Sequence, residues 1–119
     1  MVRRAFLGSG LAIALALLAG ACNSPTLPLP PPALPSVQAS TEPGKVHLSS
    51  TRGAEPNAVV VIINTNPGVP GDKNVGGASS DADGSWFTDV YASDGDALEI
   101  SQEFGTTKSS PVRLVVRLK

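Results

Sequence analysis

The sequence is short of the residues that most active-site chemistry needs. In 119 residues it holds one cysteine, Cys22, one histidine, His47, and one tryptophan, Trp86. A lone cysteine excludes an intramolecular disulfide, and a lone histidine excludes two-histidine metal centres. Any Ser/His/Asp triad would depend on His47 alone. That histidine lies in Lys45-Val46-His47-Leu48-Ser49, where alternation sends Val46 and Leu48 one way and His47 the other. With no second histidine, cysteine or carboxylate at ligand spacing beside it, His47 reads as a solvent-side strand residue rather than a metal ligand or general base. A non-enzymatic protein without cofactors is expected.

Positive charge is scarce as well. Nine basic residues stand against ten acidic ones and form no cluster, so nothing is there to hold a phosphate backbone and nucleic acid is excluded as a partner. No polybasic stretch adds attraction to anionic lipid. Sustained helical periodicity is absent beyond residue 36, where short apolar runs alternate with Gly, Pro, Asn and Asp clusters. That pattern predicts an all-β fold.

What is present begins with Arg3 and Arg4, followed by an apolar run over residues 5–18 broken only by Gly8, Ser9 and Gly10. A charged region and then an apolar one form an export signal. At roughly 14 residues the run is shorter than the ~20 a membrane-spanning helix needs, so a cleaved leader over residues 1–21 is expected. Ala19 and Ala21 satisfy the small-x-small rule of ordinary signal peptidase, which would give simple secretion. Leu18-Ala19-Gly20-Ala21-Cys22, however, resembles the lipobox of bacterial lipoproteins. The resemblance implies that Cys22 receives a diacylglyceryl thioether and, after cleavage, becomes an acylated N-terminus. Two or more acyl chains make a stable anchor where one is reversible, so the membrane is an expected partner. Asn23, where enteric sorting places Asp to retain a lipoprotein at the inner membrane, points to an outer-membrane, envelope location. Loss of residues 1–21 removes Arg3 and Arg4 and leaves a net charge near −3.

Residues 22–37 follow as the lipidated cysteine and a proline-rich stalk, with prolines at 25, 28, 30, 31, 32 and 35. Proline fixes φ and lacks the N–H of a ladder, so polyproline II is expected, reaching roughly 40 Å over 14 residues. The same prolines have PxxP spacing, and a ligand for a proline-reading domain is the competing reading.

Residues 38–119 are expected to form one small antiparallel β-sandwich of about seven strands. Ala58-Val59-Val60-Val61-Ile62-Ile63 is its best strand, with Ala58, Val60 and Ile62 on one face and Val59, Val61 and Ile63 on the other. Only one face can enter the core, so the second is a candidate apolar stripe for a partner, together with the outward Phe87. Residues 64–74 form a loop rich in turn-formers, where binding residues tend to sit. Asp81-Ala82-Asp83-Gly84 is a fragment of a calcium loop, yet the twelfth position counted from Asp81 is Ala92 and not glutamate; a hairpin turn is the simpler reading. In the strand after it Trp86, Thr88 and Val90 face inward, and the indole N–H needs an acceptor. Leu98 and Ile100 point into the core from the next strand, residues 105–110 make a polar turn, and in a last strand Val112, Leu114, Val116 and Leu118 alternate with Arg113, Val115, Arg117 and Lys119, which form a basic outer face.

Gly44-x-Val46-x-Leu48, Pro56-Asn57-Ala58, Asp81-Ala82-Asp83-Gly84-Ser85-Trp86, Gly95-Asp96-Ala97-Leu98-x-Ile100 and Pro111-Val112 together resemble a bacterial immunoglobulin-like domain, or its carboxypeptidase-regulatory-like relatives. Such a resemblance implies a spacer or adhesive module and does not transfer an activity. Three functions follow as expectations. The first is a lipid-anchored surface module that binds protein. The second is a carbohydrate-binding or accessory subunit that uses Phe87 and Tyr91. The third is an envelope component that self-associates through its edges or its apolar stripe.

Overall fold

The structure, a computed structural model, describes residues 27–118. The leader, Cys22 and the start of the stalk lie outside the described residues. Within them the chain is all-β, with two antiparallel sheets, as the alternation predicts. Eight strands run in order: β1 Ser36–Ala39, β2 Lys45–Ser50, β3 Val59–Asn64, β4 Val75–Ser79, β5 Trp86–Tyr91, β6 Ala97–Phe104, β7 Thr107–Lys108 and β8 Val112–Val115. One sheet has the order β1-β2-β5. The other has the order β4-β3-β6, with β7 and β8 paired to β6 in succession, β8 on Ala97–Ile100 and β7 on Glu103–Phe104.

The inward residues of the two sheets make one core. Val46 and Leu48 of β2 and Trp86 and Val90 of β5 meet Val60 and Ile62 of β3, Leu98 and Ile100 of β6, and Val116. Each such burial contributes roughly 1.5–3 kcal/mol, which is what a domain without a disulfide must rely on. The β-branched residues of β3 suit a pleated strand, and the period of two puts Ala58, Val60 and Ile62 inside as expected.

Four expectations need correction. The polar turn over residues 105–110 contains β7, because Gly105 at φ 61° lets the chain double back and pair Thr107 with Phe104. The last strand ends at Val115 although the alternation runs on. There the Gly95–Asp96 turn takes over the ladder: Val116 N–H donates to the Asp96 carbonyl (2.8 Å) and Leu118 N–H to Asp94 Oδ1 (2.6 Å). Trp86 is core as expected, but its Nε1–H finds no acceptor among the described residues.

The fourth concerns the stalk. β1 begins at Ser36, and the chain before it lies against the sandwich. Pro32 and Pro35 are buried, Ala33 N–H donates to the Gly53 carbonyl (2.8 Å), and Leu29 bridges Ser109 in parallel. Gln102, inward on β6 and only 2 % exposed, fastens this segment. Its Nε2 donates to the Pro30 carbonyl (2.7 Å), while its Oε1 accepts from Glu55 N–H (2.6 Å). Proline carbonyls remain good acceptors although the residue donates nothing, so a proline-rich segment can dock wherever donors face it.

Candidate functional site

Val59, Val61 and Ile63 do form an outward stripe on β3. Val75 of β4 faces Ile63, Gly77 faces Val61 and Ser79 faces Val59, while Glu99, Ser101 and Glu103 of β6 complete the rows. Val59, Ile63 and Val75 are exposed. Phe87 does not belong with them. It projects from β5, in the three-stranded sheet, so it covers the opposite outer face of the sandwich. The sequence shows that both sets point outward and not which sheet owns each strand. Cys22, the residue read as lipidated, lies outside the described residues.

The outer face of the three-stranded sheet carries the polar chemistry. Register places Lys45 opposite Tyr91, His47 opposite Asp89 and Ser49 opposite Phe87. His47 Nδ1 lies 2.7 Å from Asp89 Oδ1, and Ser40 Oγ donates to Asp89 Oδ2 at 2.8 Å. The hydrogen bond from His47, and then that from Ser40, holds the Asp89 carboxyl below its ordinary pKa. The carboxylate therefore lies between serine and imidazole, the reverse of a triad, in which the imidazole stands between serine and carboxylate. Asp89 is 42 positions from His47, so no local spacing in the sequence reveals the pair. Only the β2–β5 register brings them together.

Phe87 is 72 % exposed, with its ring centroid 6.0 Å from that of His47 at a tilt of 37°. Tyr91 lies on the same face beyond Asp89, and two cations stand over its ring, Lys45 Nζ at 4.7 Å and Lys73 Nζ at 5.1 Å. Beside this face the two sheets approach through β4 and β5. Gly76 makes the approach possible, since a Cβ there would lie 2.6 Å from Val90 Cγ1. At the Ser79 end a cleft of about 370 Å³ opens between them, lined by Ser49, Thr51, Ser79, Asp81, Ser85 and Phe87 among others.

The Asp81–Gly84 segment is the turn its composition predicts. Asp81 Oδ1 accepts from Asp83 N–H (3.1 Å) and Ser85 N–H (3.0 Å), Asp83 Oδ1 accepts from Ser85 N–H (3.0 Å), and Gly84 takes φ 86°. The side-chain hydrogen bond with Asp81, then those with Ser85, hold Asp83 at a pKa of about 2. Among the described residues no three His, Cys, Asp or Glu side chains gather to hold a metal ion. Asp96, in the turn between β5 and β6, is a buried carboxylate. It accepts from Asn64 Nδ2 (2.9 Å), Asn66 Nδ2 (2.8 Å) and Ser93 N–H (2.9 Å), and so pins the loop of residues 64–74.

These features define a small two-sheet all-β module with one aromatic and polar outer face and one apolar face edged by glutamates. No described helix is long and apolar enough to cross a membrane. Comparison with protein-family models, with curated proteins and with solved structures finds no match.

Proposed function

We propose that the chain is a lipid-anchored, non-enzymatic module of the bacterial envelope, tethered through Cys22 at the outer membrane, whose sandwich binds a partner. The anchor rests on the leader and on Leu18-Ala19-Gly20-Ala21-Cys22. The binding role rests on one observation above others: Phe87 stands 72 % exposed on a rigid sheet, beside hydrogen-bonding side chains. A large apolar ring kept in water is a feature of recognition surfaces more than of scaffolding. Two antiparallel sheets suit the immunoglobulin-like resemblance and its adhesive role. Self-association through Val59, Val61 and Ile63 has less support, because each copy would bring Glu99 and Glu103 to the contact.

The test is metabolic labelling with palmitate, with mass spectrometry of the mature polypeptide. Label on the wild-type chain, none on Cys22→Ser, and a mature chain that starts at an acylated Cys22 are the expected results. An unmodified thiol, or an intact leader, overturns the proposal.

A further inference from the structure

We infer that the cleft between β4 and β5, with Phe87 as its aromatic wall, is a binding site for a neutral saccharide. This deepens the reading of the chain as a binding module and rests on it. The cleft combines the two things a sugar ring needs. Phe87 offers an exposed ring against which the C–H face of a pyranose can stack, and the hydroxyls of Ser49, Thr51, Ser79 and Ser85 offer partners for its hydroxyl groups. Ser85 Oγ is fixed by accepting Arg52 N–H at 3.0 Å, and His47 and Asp89 lie just beyond Phe87 on the same face. A volume of about 370 Å³ is that of a small-ligand site.

Charge and shape narrow the ligand. No lysine or arginine lines the cleft, and Asp81 does, so phosphate, sulfate and uronate groups find no counter-charge there. An added peptide strand would need apolar pockets for alternate side chains, whereas most of the lining is hydroxyl-bearing. The second aromatic of this face, Tyr91, has lysines over its ring, which leaves Phe87 as the stacking surface.

The processed protein in detergent, screened on an array of neutral hexose and N-acetylhexosamine oligosaccharides, tests the site. The expected result is retention of at least one oligosaccharide, with amide shift changes in ¹⁵N–¹H spectra centred on Ser49, Thr51, Ser79 and Phe87. Phe87→Ala should weaken that binding about tenfold, while Val61→Ala on the opposite face leaves it unchanged. No retained oligosaccharide, shift changes centred elsewhere, or equal affinity in Phe87→Ala overturns the inference. Saccharide binding by a chain whose Cys22 carries no lipid would remove the anchor and leave this site standing.

Discussion

Gly84 and Gly105 both take positive φ, at 86° and 61°, but their surroundings differ. A Cβ on Gly84 would collide with the Ala54 carbonyl oxygen, which is held there because Ala54 N–H donates to the Gly84 carbonyl (3.1 Å); a Cβ on Gly105 meets nothing within 4 Å. Gly105→Ala therefore faces only the backbone preference, about 1 kcal/mol, whereas Gly84→Ala adds a clash against main chain and should lose about 2–3 kcal/mol. Urea unfolding of the two variants checks this, and equal losses would mean that the Ala54 loop yields freely. Trp86 is buried in the core at 3 % exposure. Its place in the core is legible from alternation, but its indole N–H finds no acceptor among the described residues, and an acceptor is something no local pattern specifies.

The strands were legible where the period of two is clean. β2, β3, β5 and β6 lie where alternation and turn residues put them, and Val59, Val61 and Ile63 face outward. What failed depends on contacts that no local pattern records. The described part of residues 22–37 is expected as stalk because proline cannot donate to a ladder, yet a donor comes from the sandwich, Gln102, and Ser36 and Val37 open β1. The His47–Asp89 pair and the separation of Phe87 from the β3 stripe follow from strand order, which local sequence does not carry. Gln102→Leu keeps the volume and removes both amide contacts, leaving the Pro30 carbonyl and Glu55 N–H to find water. A loss of about 1–2 kcal/mol is expected, together with faster proteolysis between residues 29 and 35. Unchanged proteolysis would show that Pro32, Pro35 and the Ala33–Gly53 hydrogen bond hold the segment without Gln102.

Across the whole molecule three carboxylates in different places share one dependence on pH. Asp83 in the β4–β5 turn, Asp89 on the outer face and Asp96 beneath the loop of residues 64–74 all have lowered pKa values. For Asp96 burial pulls the other way and would raise the value, but the hydrogen bonds from Asn64, Ser93 and Asn66 outweigh it. A carboxyl whose pKa is lower folded than unfolded binds fewer protons in the folded state, so it contributes stability above its unfolded value, about 3.9, and that contribution fades as pH falls through the folded value. With Asp83 at about 2, the loss should spread from roughly pH 5 down to pH 2. Thermal unfolding followed over that range should give a melting temperature that falls steadily with acid. Asp96→Asn should lower stability at neutral pH and flatten the acid slope, because the amide titrates no proton and cannot accept all three hydrogen bonds as a carboxylate does. A slope as steep in Asp96→Asn as in the wild type would assign the acid sensitivity to Asp83 and Asp89, and with it to the surface rather than to the clamp on the loop.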